Sequence, residues 1–310
     1  MADADALRII CGPTGAGKSA LAMALARIHR VTIISADSRQ VYRGFDIGTA
    51  KPAPAEQREV PHRGIDVVDP TERYSAARWA DSARLWIDES RAAERIPLVV
   101  GGAGLYLRAL TEPLFEEPPL DPARRDALDV FLGTLSMPEL RRWCEHLDPA
   151  RAHLGRTQLL RAISVALLSG APISEWHARA PRAAGLSARY LVVDPGAALA
   201  THLDRRLTTM LDSGWEHEVE ALARTVPANA PAWNGTGYRW IRAAVLKECS
   251  RADALARVRI ETRQYAKRQR TWFRHQLPAS RVTSIDPDAP DALERALGWW
   301  SSTNDGGVLA

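Results

Sequence analysis

Eight residues near the amino terminus have the composition of a phosphate-binding loop. They are Gly12, Pro13, Thr14, Gly15, Ala16, Gly17, Lys18 and Ser19, and they match G-x-x-x-x-G-K-[ST] at each fixed position. Glycines allow the backbone N–H groups to converge on phosphate oxygens, Lys18 adds a full positive charge, and the Ser19 hydroxyl can ligate Mg²⁺. A strand-like run precedes the loop and a helix-like run follows it. The segment predicts binding of a di- or triphosphate-like group, but it does not identify the bond that breaks.

A carboxylate, Asp37, ends the second strand-like run. At the carboxyl end of a strand beside a phosphate loop, Asp37 could bind Mg²⁺, accept a proton or cap the following turn. With Ser38 and Gln40 it offers donors and acceptors that suit the edge of a nucleobase. The third strand runs into the glycine-rich segment 101–104, which either approaches a ligand or forms a tight turn. Local pattern alone leaves these alternatives open.

Positive charge is concentrated in one helical segment. Residues 251–275 contain eight Lys or Arg and two Asp or Glu, whereas the net charge of the whole chain is only +4. Five cations, spaced by four, four, three and four residues, fall within an arc of about 80° on a helix. They are Arg259, Arg263, Lys267, Arg270 and Arg274. The adjoining arc is more apolar, so the pattern favours a packed face beside a face that contacts a phosphate backbone.

Short apolar runs alternate with helical stretches and predict an α/β fold. Strands are predicted at 7–11, 31–35, 97–100 and 190–193, and helices at 77–94, 197–213, 216–224, 237–249 and 254–275. The expected architecture is a P-loop NTPase-like parallel sheet flanked by helices, with an inserted all-helical subdomain and a helical C-terminal region. We predict a core at 1–120 and 184–300, a helical insertion at 121–183, and a disordered tail at 301–310.

Composition narrows the class of protein. The chain has 310 residues, 46% of them apolar and 25% charged, which is enough to build a core. Three scattered cysteines contain no C-x-x-C pair, so neither a zinc site nor a disulfide framework is indicated. No signal peptide and no apolar run of membrane-spanning length is evident. We therefore expect a cytoplasmic protein without a membrane partner, acting as a monomer.

Longer motifs resemble the tRNA dimethylallyltransferase (tRNA isopentenyltransferase) family from about residue 8 to residue 275. The resemblance is carried by GPTGAGKS at 12–19, SADSRQVYRGFDIGTAKP at 35–52, PHRGID at 61–66, VVGGAGLYLRAL at 99–110, GYRW at 237–240 and QYAKRQRTWFR at 264–274. A phosphate loop alone is shared by many unrelated proteins. The second and last of these strings are far more particular to the family.

The resemblance implies transfer of a dimethylallyl group from dimethylallyl diphosphate to N6 of adenine 37, beside the tRNA anticodon, with Mg²⁺ as cofactor. The 12–19 loop would then hold the diphosphate, Arg206 would bind it as well, and Asp37 would take a proton from the exocyclic amine. The resemblance also implies contacts to the tRNA anticodon stem-loop. They fall on Asp37, Ser38, Arg39, Gln40, Arg125, Thr157, Gln158, Arg161, Gly237, Tyr238, Arg239, Lys267, Arg268, Arg270, Trp272 and Arg274.

The sequence departs from the family pattern at four places. One is Gly155-Arg156-Thr157-Gln158 in the predicted insertion, where the family has a basic and acidic pattern. Ala103 stands where the family usually has a threonine whose hydroxyl lies near the reacting groups, Ser164 replaces a glutamate, and His202 replaces a common arginine. A methyl group cannot donate a hydrogen bond, so we expect the reacting centre to lack one donor unless water or Ser38 supplies it. Hydrogen bonds to charged groups contribute roughly 1.5–3 kcal/mol.

Three other functions fit parts of the sequence. A P-loop kinase would use the same loop for ATP, although it leaves the basic helix unexplained. An adenylate prenyltransferase would accept a mononucleotide and would have little need for the insertion. A tRNA-binding protein with impaired catalysis would be consistent with Ala103.

Overall fold

The structure, a computed structural model, describes residues 6–112, 118–179 and 185–302. The chain divides into two compact units. One comprises Met1–Glu112 and Gly185–Ala310, and the other comprises Pro113–Ala184. In the described part of the chain, none of the helices combines the length and the apolar character that a membrane span requires.

The larger unit is built on a six-stranded parallel sheet with the strand order β3-β2-β4-β1-β5-β6. Its strands are β1 (Leu7–Cys11), β2 (Val31–Ala36), β3 (His62–Arg63), β4 (Ile96–Gly101), β5 (Ala188–Val193) and β6 (Val282–Ile285). The four predicted strands are confirmed, each within two residues of its predicted ends. The two edge strands were not predicted, because β3 has only two residues and β6 has two exposed positions among its four.

Helices flank this sheet, and they come from both segments of the larger unit. They are α1 (Lys18–Ile28), α2 (Pro54–Glu59), α3 (Ala76–Ala92), α4 (Gly104–Thr111), α9 (Leu199–Asp212), α10 (Trp215–Thr225), α11 (Tyr238–Val245), α12 (Arg251–Gln276) and α13 (Ala292–Ser301). The predicted helix at 237–249 ends earlier, at Val245, and Lys247 has a positive φ of 61°. Helix α13 was not predicted. The predicted disordered tail lies outside the described residues from position 303 onward.

The strand order brings four strand ends to one edge of the sheet. Cys11 at the end of β1 is level with Gly101 of β4 and Val192 of β5, and Ala36 of β2 is also level with Gly101. These strands are almost completely buried, as their apolar runs predicted. Because ligands bind at the carboxyl ends of parallel strands, the segments that follow β1, β2, β4 and β5 define the site.

The regular secondary structure of the smaller unit is helical in its described range, 118–179. It contains α5 (Pro122–Thr134), α6 (Met137–Leu147), α7 (Arg156–Ser169) and α8 (Ile173–Arg179). Leu132, Leu140, Leu159 and Ile163 form its buried core. Ser164, the departure from the family's glutamate, is also buried, and its hydroxyl donates to Asp129 Oδ1 at 3.0 Å. This serine therefore connects α7 to α5.

Candidate active site

The phosphate loop joins β1 directly to α1. Three of its glycines have positive φ, namely Gly12 at 143°, Gly15 at 77° and Gly17 at 82°. A Cβ atom on Gly12 would lie 2.1 Å from the Val193 carbonyl oxygen, so only glycine fits between β1 and β5. Helix α1 begins at Lys18, immediately after this turn, which aims its free N–H groups and its positive dipole end at the loop.

Two cations share this edge of the sheet. Lys18 Nζ donates to the Pro13 carbonyl oxygen at 2.7 Å, which draws the ammonium back over the loop. Burial, reinforced by the positive charge of Arg206, lowers the pKa of Lys18 from 10.5 to about 8. Burial also lowers the pKa of Arg206, although Asp37 counteracts the shift. Two desolvated cations without enough negative charge between them form a site for a polyanion.

Asp37 lies beside these cations. Its Oδ1 atom accepts the Arg39 N–H at 2.8 Å, so the carboxylate does cap the turn that follows β2. Asp37 also acts on both Lys18 and Arg206 electrostatically. One bond to a backbone amide leaves carboxylate acceptor positions available for a substrate proton. Capping and proton acceptance are therefore compatible roles.

Two cavities meet at Asp37. The larger is an open cleft of about 1110 Å³ that runs along the phosphate loop, Lys18, Ser19 and Arg206. The smaller, of about 60 Å³, has a mainly apolar wall, which is formed by Leu203, Leu207, Met210, Trp215 and Val258. Charged side chains, among them Arg39, Asp204 and Arg259, also line it. It has room for roughly four water molecules or a similar number of carbon atoms. Both cavities are lined by Thr14, Asp37, Thr49, Arg206, Met210 and Tyr265.

The turn after β4 completes the floor of the cleft. Ala103 N donates to the Ala36 carbonyl oxygen at 3.1 Å and precedes the first residue of α4. A Cβ on Gly101 would meet the same carbonyl oxygen at 2.1 Å, which explains the glycine at that position. Gly101 and Gly102 line the larger cleft, whereas Ala103, which stands at the family's usual threonine position, lines neither cavity.

Tyr265 and Gln269 lie on the more apolar arc of α12 and were not predicted from the sequence as site residues. Tyr265 lines both cavities, and burial, followed by the nearby Asp37, raises its pKa to about 12, so the phenol stays protonated. Gln269 is buried against the phosphate loop, where its Oε1 accepts the Thr14 N–H at 2.8 Å. The polar groups of these two side chains, on the more apolar arc of the helix, were the sequence signal that could have identified them.

Glu218, also missed, organises the 46–49 segment from α10. Its carboxylate accepts the N–H groups of Asp46 at 3.0 Å and Ile47 at 2.6 Å, and the Tyr238 hydroxyl at 2.6 Å. The carbonyl oxygen of Thr49 in turn accepts from Arg206 at 3.4 Å. Glu218 thereby supports the loop whose Thr49 carbonyl oxygen holds Arg206.

Two of the side chains expected to contact tRNA are engaged within the protein. Gln40 is buried: its Oε1 accepts from Ser35, and its Nε2 donates to the carbonyl oxygens of Thr49 and Ala50. The ring of Tyr238 is fully buried among aromatic neighbours. Both side chains therefore shape the site from inside. Gln40 also lines the larger cleft, and contact of either residue with tRNA stays a prediction.

Neighbouring elements neutralise part of the cationic arc of α12. Asp204 of α9 lies 2.7 Å from Arg263 and 3.9 Å from Arg259, and Asp194 pairs with Arg270. In the described ranges, Lys267 and Arg274 have no carboxylate partner, and both are exposed, as is Arg268. Trp272 packs against Gly104, where a Cβ would approach its ring to 2.4 Å. The face available to a polyanion is thus narrower than the helical periodicity predicted.

The other expected RNA contacts lie on different elements. Ser38 and Arg39 are partly buried beside Asp37, and Arg239 on α11 is exposed and lies 3.5 Å from Glu261. Gly237 precedes α11 with a φ of 86°. In the smaller unit, Thr157, Gln158 and Arg161 are exposed on α7, and Arg125 is partly buried on α5. These assignments stay predictions.

The donor set fits a magnesium ion shared with a phosphate ligand. The described residues hold no cluster of three or more His, Cys, Asp or Glu side chains that could ligate a metal. Ser19 is exposed in the cleft beside Lys18. Mg²⁺ commonly keeps several waters and uses few protein ligands together with substrate phosphates. The Ser19 hydroxyl would supply one ligand to such an ion, and the phosphate and waters would supply the others.

The parallel sheet, the loop after β1 and the paired cations define a P-loop protein of the α/β class that binds a phosphate-containing ligand. Two family models match the chain: "IPP transferase" over residues 40–276 and "Isopentenyl transferase" over residues 5–63. The chain belongs to the IPP transferase family.

Individual relatives agree with this assignment. Proteins named tRNA dimethylallyltransferase from Caulobacter sp. (strain K31) and Rhodospirillum centenum are 39% and 42% identical to this chain; the alignments cover 90% and 93% of the chain, and 93% of each relative. The crystal structure of a tRNA isopentenylpyrophosphate transferase from Bacillus halodurans is 28% identical, has a TM-score of 0.68 and covers 96% of both chains. The structure of a eukaryotic dimethylallyltransferase, 24% identical, has a TM-score of 0.75 over 96% of this chain and 76% of that one, and it supports the fold alone.

Proposed function

We propose that this protein transfers the dimethylallyl group of dimethylallyl diphosphate to N6 of adenine 37 in tRNA. The observation that carries the proposal is the position of Asp37 where a cationic cleft meets a small apolar cavity. A prenyl diphosphate has the same two halves, a polyanion and a short hydrocarbon. The carboxylate lies where the two halves of such a substrate would join.

The chemistry requires charge stabilisation on one side of the reacting carbon and a base on the other. Lys18 and Arg206 would neutralise the diphosphate as the bond between C1 and oxygen breaks. The new bond forms between C1 and N6 of adenine, and the proton of N6 passes to Asp37. The diphosphate leaves with the electron pair of the broken bond, so atoms and charge balance. The protonated Tyr265 beside Asp37 provides a neutral donor at the same junction.

The phosphate loop would hold Mg²⁺ through the Ser19 hydroxyl, together with the diphosphate. A bound Mg²⁺ would supply additional positive charge to the leaving group. The remaining work falls to the chain itself: the loop orients the diphosphate, and the apolar cavity encloses the hydrocarbon and keeps water from the reacting carbon.

The tRNA would approach from the exposed cations of α12, with the anticodon stem-loop as the recognised region. Because N6 is shielded within a base stack, adenine 37 must leave the stack to reach Asp37. Lys267, Arg268 and Arg274 supply charge to hold the backbone during this movement. We further propose that the enzyme acts as a monomer in the cytoplasm, a location that is consistent with a tRNA substrate.

Product analysis tests this proposal against its rivals. The protein is incubated with Mg²⁺, dimethylallyl diphosphate and unmodified tRNA, and the RNA is digested to nucleosides for mass spectrometry. We expect N6-isopentenyladenosine. Parallel reactions replace tRNA with AMP, or the prenyl donor with ATP. Prenylated AMP without modified tRNA would indicate an adenylate prenyltransferase, and ADP without a prenylated nucleoside would indicate a kinase.

A further inference from the structure

Gln269 is a buried amide on the helix that otherwise carries the exposed cations. It lies on the inner side of α12, directly after the exposed Lys267 and Arg268. Its Oε1 accepts the Thr14 N–H at 2.8 Å, and its Nε2 donates to the Gly102 carbonyl oxygen at 2.8 Å. One side chain therefore connects α12, the phosphate loop and the turn after β4.

The two segments that Gln269 joins lie just beyond the paired ends of β1 and β4. The sheet fixes these strands up to the level of Cys11 and Gly101, where their register ends. Thr14 and Gly102 come after that point and are outside the ladder. The carboxamide of Gln269 continues the connection between the two segments where backbone pairing has stopped.

The carboxamide of Gln269 satisfies both partners. The Thr14 N–H requires an acceptor and the Gly102 carbonyl requires a donor, and glutamine provides one of each. A Cβ atom on Gly102 would lie 2.4 Å from Nε2, so the absence of a side chain at this position makes room for the contact. The amide is 7% exposed, which excludes competition from bulk water.

Anchoring of α12 does not depend on Gln269. The same stretch of helix is held by the ion pair of Arg270 with Asp194, by the packing of Trp272 on Gly104 and by the burial of Phe273. The contribution specific to Gln269 is therefore made at the phosphate loop. It fixes the N–H of Thr14, while the later loop residues, Gly15 to Ser19, line the cleft.

We propose that Gln269 is a positioning residue for the diphosphate: through Thr14 and Gly102 it holds the phosphate loop at a fixed spacing from the turn that carries Ala103. The inference rests on the proposed function, because it assigns the diphosphate of the prenyl donor to that loop. It predicts that loss of the carboxamide weakens diphosphate binding without weakening RNA binding.

The test compares Gln269→Met, which keeps the side-chain length, with Gln264→Met, which makes the same change at an exposed position of the same helix. Gln269→Asn, whose shorter amide cannot span both partners, serves if the methionine variant does not fold. Calorimetry measures the dissociation constant for pyrophosphate with Mg²⁺ in the absence of tRNA. Steady-state kinetics then separate kcat from the KM values for dimethylallyl diphosphate and for tRNA.

For Gln269→Met we expect the pyrophosphate dissociation constant and the KM for dimethylallyl diphosphate to rise about tenfold, as the loss of two buried hydrogen bonds implies. The KM for tRNA should stay within about twofold, and Gln264→Met should match the natural protein. The inference would be overturned if Gln269→Met and Gln264→Met bound pyrophosphate with equal affinity, or if the KM for tRNA rose as much as the KM for dimethylallyl diphosphate. Either result would leave the proposed function intact. Failure of the natural protein to bind pyrophosphate would overturn both.

Discussion

Asp37 illustrates how one residue carries several requirements of the site. Its carboxylate ends β2, caps its own turn through the Arg39 N–H and balances the charges of Lys18 and Arg206. Its position could be predicted from the sequence, because a carboxylate after a buried strand beside a phosphate loop must lie at the ligand edge of the sheet. The small apolar cavity next to it could not, since α9, α10 and α12 supply its lining.

Substitution of Asp37 by asparagine tests the proposed base. The amide preserves shape and can still accept the Arg39 N–H, but it cannot take a proton from N6. We expect kcat to fall by about 10²-fold or more, with the dissociation constant for tRNA within about threefold. Single-turnover rates and filter binding measure the two quantities. Equal losses in rate and in tRNA affinity would contradict a role in proton transfer.

Lys18 gives the diphosphate site a specific pH dependence. Its pKa of about 8 lies below the ordinary value of 10.5, so the ligand-free protein loses this charge as the pH rises through 8. Pyrophosphate affinity should therefore fall between pH 7.5 and 9.5, by at most about tenfold per pH unit. Lys18→Met should retain only the shallower dependence due to pyrophosphate itself. An identical pH profile in both proteins would contradict the assignment.

The same shift affects stability in the opposite direction. Between about pH 8 and pH 10.5 the unfolded chain binds more protons at Lys18 than the folded chain does. The contribution of Lys18 to the free energy of unfolding therefore increases with pH across this window. Chemical denaturation of the natural protein and of Lys18→Met at several pH values measures this effect. The free energy of unfolding of Lys18→Met should lack the increase between about pH 8 and pH 10.5.

Ala103 offers a gain-of-function test. Threonine at this position would restore a hydroxyl at the turn after β4, and the residue precedes the first residue of α4, where threonine is a favoured cap. If the hydroxyl assists the reaction, kcat/KM should rise about tenfold, in line with a hydrogen bond to a charged group. Thermal denaturation separates this effect from the helix-capping gain. Higher stability with unchanged kcat/KM would show that the reaction does not need the hydroxyl.

At the scale of elements, α12 shows which properties periodicity can predict. The helix and its two arcs follow from the spacing of charged and apolar residues, and the structure confirms the helix over Arg251–Gln276. The pairing of its arginines with carboxylates could not be predicted from this spacing, because Asp204 and Asp194 lie about 60 and 75 residues away in sequence. The same limit concealed Gln269, whose partners are Thr14 and Gly102.

This difference between paired and unpaired cations predicts their effects on RNA binding. Lys267→Ala should reduce the slope of log affinity against log salt by about 0.7–0.9, the value for one phosphate contact. Arg263→Ala, which removes a cation already paired with Asp204, serves as the matched control and should leave the slope nearly unchanged. Equal slopes for Lys267→Ala and the natural protein would place this face of α12 away from the RNA.

At the scale of the whole molecule, the sheet explains why distant motifs act together. Segments after β1, β2, β4 and β5 converge because those strands are parallel neighbours, and the central strands were predictable from their buried apolar runs. The edge strands and α13 were not predictable in this way, since β3 is too short and β6 is too exposed to produce a buried pattern. The order of the strands in the sheet could not be predicted from the sequence and is known from the structure.

The most direct test of this account is a single-turnover reaction that measures two products together. Excess protein with bound Mg²⁺ and dimethylallyl diphosphate is mixed with tRNA, and pyrophosphate and N6-isopentenyladenosine at position 37 are quantified over time. We predict that the two products form in equal amounts and at one rate, and that Asp37→Asn slows both together. Pyrophosphate formed without prenylated adenine, or modification at another nucleotide, would contradict it.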